Sequence, residues 1–235
     1  MIKKFLPYLA GLSLSFLALI SYSSSPTTKK IFADSSVSPI SAEHNRFPGL
    51  EELKPQLQGI SPAAFEMALK GYQQLLEKGI LSPGALLAIA DFSLPSDQER
   101  LFILDLQQGV VRFHTLVAHG KNSGDRFANR FSNKHSSLQS SLGFFKTGHP
   151  YQGSNGKSLQ LIGLEKGIND QALARGIVMH GAPYVNEQVA KQRGWIGRSW
   201  GCPAVPSEIN DELIVTLRNN QCLFIYHPSY KSSKI

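Results

Sequence analysis

The chain reads as an α+β domain with a mainly β core and peripheral helices. Three observations predict this. Short apolar runs recur at residues 85–90, 101–106, 110–118, 159–164 and 223–226, each too short for a helix. Helical patterning is limited to residues 61–79, a short piece at 169–174 and the stretch beyond 185. Between these runs the composition turns to Gly, Ser and Asn, the residues of turns and loops.

Taken in order, the chain opens on Met1-Ile2-Lys3-Lys4, a short basic start, followed by a mostly apolar stretch over residues 5–20. Ser21 and Ser23 then offer small residues ahead of a cut before Ser24. Residues 1–23 read as a secretory signal peptide, with an uncleaved N-terminal anchor, and so a membrane tether, as the alternative. Residues 24–49 are rich in Ser, Thr, Pro and Lys and read as a flexible tether. Residues 50–230 are expected to form one globular domain.

Within it, Ser61 caps a helix, Pro62 takes its first turn, Phe65, Leu69, Tyr72 and Leu76 share one face, and Gly79 stops it. Three strands follow at 85–90, 101–106 and 110–118, the last two joined by Gln107-Gln108-Gly109 with glycine at a positive φ. Residues 119–160 read as a long loop broken by a short strand at 142–146. A strand is expected at 159–164, then a short helix from Asn169 to residue 174. The apolar run 176–179 is expected to deliver His180 at its end. A helix over 185–192 closed by Gly194, a helix over 206–217 and a final strand at 223–226 complete the domain.

The formal net charge is +7. A modest basic excess on an exported chain suits an anionic polymer of the cell envelope or periplasm. No basic run interleaved with aromatics tracks a nucleic-acid backbone, and export argues against one. There are two cysteines. Cys222 sits in an apolar run, where cysteine serves as a small hydrophobe. Cys202 sits in Arg198-Ser199-Trp200-Gly201-Cys202-Pro203-Ala204. The chain is long enough to bury a core without a disulfide, so two free thiols are favoured over a bridge.

A thiol becomes a strong nucleophile only beside a base or a positive environment. His180, in His180-Gly181, is the candidate base. The bland reading of Cys202 is a structural thiol in a tight turn. Histidine ahead of cysteine is the reverse of the papain order, which sets that class of protease aside. The backbone N–H groups of Gly201 and Cys202 are the candidate oxyanion hole. No His-x-x-x-His or Cys-x-x-Cys spacing occurs, so neither a metal nor another cofactor is expected. His119, Tyr184, Arg198 and Trp200 are candidate groove residues, Trp195 is assigned to packing, and Arg175 and Arg193 are read as solvated charges.

His180-Gly181, the helical stretch after it and the motif around Cys202 resemble the YkuD-like murein L,D-transpeptidase catalytic domain. The likeness is to the branch with Ser-x-Gly-Cys-Pro-Ala. It extends to His119-Gly120-Lys121-Asn122-Ser123-Gly124, Ser140-Ser141-Leu142-Gly143 and Gly163-Leu164, about residues 85–226 in all. The resemblance implies the sandwich or barrel fold of that family. It implies Cys202 as nucleophile, His180 as base, Ser199 orienting the imidazole through its hydroxyl or carbonyl, and Gly181 among the residues that meet substrate. Trp200 and Ala204 depart from the common histidine and arginine of the motif.

The implied partners are peptidoglycan stem peptides. Cys202 would displace D-alanine, form a thioester and pass the acyl group to an amine in a 3→3 cross-link. With water as acceptor, or on cross-linked substrate, the same residues would act as an L,D-carboxypeptidase or endopeptidase. A non-catalytic envelope-binding module is the reading from another class, and the retained Cys202 and His180 weigh against it.

Overall fold

The computed structural model describes residues 47–231. The signal peptide or anchor of residues 1–23, and the tether up to residue 46, lie outside the described residues.

Helix α1 (Leu50–Leu53) runs into a 3-10 turn at Lys54–Gln56 and is followed by α2 (Pro62–Glu77). The expected N-terminal signals of α2 are in place. The Ser61 hydroxyl accepts from the Ala64 N–H at 3.2 Å, and Gly79 turns the chain at φ 66°. Ala64, Ala68, Leu69, Tyr72 and Leu75 face the core. Gly71 lets the helix close on the sheet, because a Cβ there would stand 2.1 Å from the Phe144 ring.

Eight strands form one mixed sheet: β1 (Leu87–Asp91), β2 (Leu101–Asp105), β3 (Val110–Thr115), β4 (Gly143–Gly153), β5 (Gly156–Gly163), β6 (Val178–Ala182), β7 (Ala204–Pro206) and β8 (Cys222–Tyr226). Their order is β3-β2-β1-β8-β4-β5-β6-β7. Every residue of β1, β2 and β8 is buried, which is why these strands read as continuous apolar runs rather than alternating ones. Gly109, at φ 68°, makes the β2–β3 turn as expected. Helix α3 (Glu187–Arg193) starts at Asn186, whose side chain accepts from the Val189 N–H, and ends at left-handed Gly194. Helix α4 (Asn210–Leu217) packs over β5 and β6. The α+β class, with a β core and helices around it, is the one read from the sequence.

Four details differ. Strand β4 runs to Gly153 and forms a hairpin with β5, so the loop expected to reach residue 160 ends at β4. The outer part of β4 carries His149, Tyr151 and Gln152, which give no apolar signal; main-chain pairing makes the strand. Residues 169–174 form turns, not a helix. Asn169 is engaged elsewhere: its Oδ1 accepts from Glu165 N–H, and its Nδ2 donates to the Leu142 and Phe144 carbonyls. Residues 204–206 pair with β6 as β7, so the last helix starts at Asn210 rather than at 206. That same pairing carries β6 on to Ala182, which puts His180 in the middle of the strand.

A second, smaller apolar cluster of Leu116, Ala118, Ala182, Val185, Ala190, Ile196 and Ala204 lies under α3. It anchors the end of the sheet that carries His180. Cys222 is fully buried on β8, and both cysteines are free thiols. No helix of the described residues is long and apolar enough to cross a membrane.

Candidate active site

The parallel pairing of β6 with β7 sets Cys202 and His180 at the same end of the sheet, where both line one cavity. His180 is level with Ala204 across the ladder. Cys202 precedes Ala204 by two positions, so it falls level with Val178, on the strand that carries His180. The Val178 main-chain N–H favours the ionised form of the Cys202 sulfur. The chain on the far side of Cys202 is held by the 116–142 loop, through bridges of Ala118 with Ala204 and of Gly120 with Ser199.

Cys202 and His180 line one cavity of about 360 Å³. Tyr184, Arg198, Ser199, Trp200, Arg175, Gly176 and Ile177 complete most of its wall, and Ser154 and Asn155 reach it from the β4–β5 turn. A smaller cavity of about 230 Å³ shares Arg175, Ile177 and Trp200 with it.

His180 is nearly buried, and its Nδ1 lies 2.9 Å from the Gly181 carbonyl. A carbonyl only accepts, so Nδ1 carries the hydrogen and Nε2 keeps a lone pair. This is the tautomer a general base needs. The Cys202 thiol donates to the Gly176 carbonyl at 3.8 Å. Burial pushes the thiol up from its ordinary value, while the Val178 N–H and the nearby Arg175 charge pull against that rise.

Ser199 does not bond the imidazole. Its hydroxyl donates to the Cys202 carbonyl at 2.6 Å and accepts from the Gly201 N–H at 3.0 Å. Its carbonyl accepts from the Lys121 N–H. Ser199 therefore shapes the turn that presents the thiol, and the partner of the His180 ring is the Gly181 carbonyl. The same bond turns the Gly201 N–H toward Ser199, away from the oxyanion-hole role expected of it, and leaves the Cys202 N–H as the candidate. Gly201 is required for shape: φ is 126°, and a Cβ would meet the Gln139 carbonyl at 2.8 Å.

Two expected substrate contacts move elsewhere. His119 is 0 % exposed. Its Nδ1 faces the Arg100 guanidinium at 2.9 Å and its Nε2 the Gly124 carbonyl at 3.3 Å. Burial and the Arg100 charge push its pKa down to about 3, so it is a neutral interior group rather than a groove residue. Gly181 packs against Asn210, where a Cβ would stand 2.9 Å away, and serves the site through its carbonyl.

Tyr184, Arg198 and Trp200 do face the cavity. Burial pushes the Tyr184 hydroxyl up to about 12, which keeps it a donor. Arg198 bonds the Gly124 carbonyl and Asp125 and lies over the Trp195 ring at 4.9 Å. Trp200 is 73 % exposed, with the Lys121 ammonium 5.8 Å from its ring centre. An aromatic that open is a wall rather than core.

Arg175 is the residue that sequence reasoning missed. It is half-buried at the cavity wall and tied to the 132–141 loop, not solvated. Its one sequence signal is position, directly before Gly176 and the strand of His180. Among the described residues no group of three or more His, Cys, Asp or Glu could hold a metal ion.

Fold and cavity together define an α+β domain with a cysteine and a histidine at one site. A family model described as the L,D-transpeptidase catalytic domain matches residues 56–226, and the chain belongs to that family. Solved structures similar to it include an L,D-transpeptidase from Mycobacterium smegmatis, at 12 % identity over 61 % of this chain and 59 % of that one, TM-score 0.38. An L,D-transpeptidase from Stackebrandtia nassauensis is 14 % identical over 64 % of this chain and 60 % of that one, TM-score 0.38. The helical cell shape determining protein Pgp2 from Campylobacter jejuni is 13 % identical over 64 % of this chain and 50 % of that one, TM-score 0.39. The chain thus spans about 59 % of the length of the first of these. No curated protein matches it.

Proposed function

We propose that this protein is an exported cysteine acyltransferase that remodels peptidoglycan by L,D-transpeptidation. The observation that carries the reading is the shared cavity of Cys202 and His180, with the His180 Nε2 lone pair available. The basic, apolar start of the chain supports export, with either a cleaved signal peptide or an N-terminal anchor.

The chemistry runs in two halves. His180 Nε2 takes the thiol proton, and the Cys202 sulfur attacks the carbonyl of the L-centre in a stem peptide. The oxyanion that forms lies toward the Cys202 N–H. The C–N bond to D-alanine breaks, the imidazolium returns the proton to the leaving amine, and a thioester remains. An amine from a neighbouring stem peptide then attacks, gives its proton to His180, forms the new amide and releases the thiol. The departure at Trp200 leaves His180 as the proton carrier and gives the thioester an aromatic wall. Water in place of the amine would make the same site an L,D-carboxypeptidase.

Intact-protein mass spectrometry with a carbapenem tests the nucleophile. The expected result is one adduct on the wild type and none on Cys202→Ala; no adduct on the wild type, or an undiminished one on the variant, sinks the assignment. Incubation with tetrapeptide muropeptides then reads the acceptor: 3→3 linked dimers support transpeptidation, and tripeptides alone replace it with carboxypeptidation.

A further inference from the structure

Arg175 lines the cavity and makes four hydrogen bonds to the 132–141 loop, all to uncharged acceptors. Nη1 donates to the Ser132 carbonyl at 2.7 Å and to the Ser141 hydroxyl at 2.5 Å. Nη2 donates to the Gln139 carbonyl at 2.7 Å and to the Ser137 hydroxyl at 3.2 Å. It forms no ion pair among the described residues. Every exposed or half-exposed arginine that does so elsewhere, Arg112, Arg126 and Arg198, meets an aspartate. A half-buried guanidinium without a carboxylate keeps its field for whatever negative charge develops beside it.

The thiol is the group beside it. The carbonyl of Gly176, next in the chain, accepts from the Cys202 sulfur, and Arg175 lines the cavity that Cys202 lines. The loop that Arg175 holds also backs the cysteine turn: the Ser140 hydroxyl donates to the Gly201 carbonyl at 3.1 Å, and Gln139 closes on Gly201. One side chain thus fixes the loop behind the nucleophile and leaves its charge unmatched in front.

We propose that Arg175 is a positioning residue for Cys202, whose unpaired charge holds the thiol toward thiolate. The inference rests on Cys202 being the reactive thiol of the proposed function. The other titratable or charged groups facing the thiol are His180, Tyr184 and Arg198. Of these, His180 is the group that takes the proton, burial keeps Tyr184 neutral, and Arg198 is matched by Asp125. The Arg175 charge opposes the rise that burial imposes on the thiol.

The test is the pH profile of iodoacetamide alkylation at Cys202 in the full-length chain, read by peptide mass spectrometry, for wild type, Arg175→Gln and Arg175→Lys. Loss of the charge should raise the profile's midpoint by about one pH unit and slow alkylation at pH 7 about tenfold. Lysine, which keeps the charge but not the four bonds, should hold the wild-type midpoint. A uniform loss of rate at every pH with an unmoved midpoint in Arg175→Gln overturns the proposal. Should Arg175→Gln fail to fold, Arg175→Lys decides: a midpoint raised with loss of the bonds overturns it, and a retained one supports it. Alkylation needs no acyl transfer. A wild type that alkylates normally but takes no carbapenem therefore defeats the proposed function, whereas an unmoved midpoint with normal carbapenem adducts defeats the Arg175 assignment.

Discussion

Ser199→Ala removes one hydroxyl from the turn that presents Cys202. That hydroxyl is buried and makes two bonds, to the Cys202 carbonyl at 2.6 Å and from the Gly201 N–H at 3.0 Å. A net hydrogen bond contributes about 1 kcal/mol, so the two together contribute about 2 kcal/mol. For a domain of this size that corresponds to a fall of roughly 4–8 °C in Tm. The Gly201 N–H and Cys202 carbonyl left without partners also free the turn to relax, and a thiol displaced from His180 reacts more slowly; about 2 kcal/mol expressed in the transition state is about 30-fold. The assays are thermal unfolding and the rate of carbapenem acylation by mass spectrometry. A fall in both is expected, with the pH dependence of acylation unchanged, because Ser199 does not touch the imidazole. If Ser199→Ala keeps the wild-type Tm while its acylation pH profile shifts, Ser199 acts on His180 and the reasoning from the turn is wrong.

Three further outcomes follow from packing and titration. Gly71→Ala would place a methyl 2.1 Å from the ring of Phe144, which is buried and stacked on Phe224 at 4.2 Å, so the helix must move off the sheet; a net loss of about 1–3 kcal/mol is expected in urea unfolding, despite alanine's better helix propensity. His119 has its pKa pushed down to about 3, below the ordinary 6.5, so the unfolded chain binds the extra proton between those values. Stability should therefore fall as pH drops through that window, by at most about 1.4 kcal/mol per unit from this group, and His119→Gln should flatten the slope; equal slopes for the two proteins would refute this. Cys222→Ser buries a hydroxyl at a fully buried position of β8, which should cost about 1–3 kcal/mol in thermal or urea unfolding and leave the carbapenem adduct intact.

Much of the fold was legible because its signals are local. Ser61 and Pro62 start α2, Gly109 turns β2 into β3, and Asn186 and Gly194 bracket α3, each through its own backbone. The outer half of β4 and the whole of β7 were not legible. Their residues are polar or too few to show a period, and their ladders come from neighbours distant in sequence. Asn169 shows the same limit: its side chain has the chemistry of a helix cap, and its partners Leu142 and Phe144, far back along the chain, claim it instead.

The sequence by itself determined the class of fold, the family resemblance and the cysteine and histidine of the candidate site. Those rest on residue types and order, which the chain carries wherever it goes. The tertiary structure decided which groups stand around them. It drew His119 into the interior against Arg100, turned Ser199 from the imidazole to the cysteine turn, and set Arg175 beside the thiol with no counter-ion among the described residues. The physical reason is that burial and partners are properties of position: the same imidazole or guanidinium is a solvated charge on a loop and a functional or structural group once packing selects what it faces.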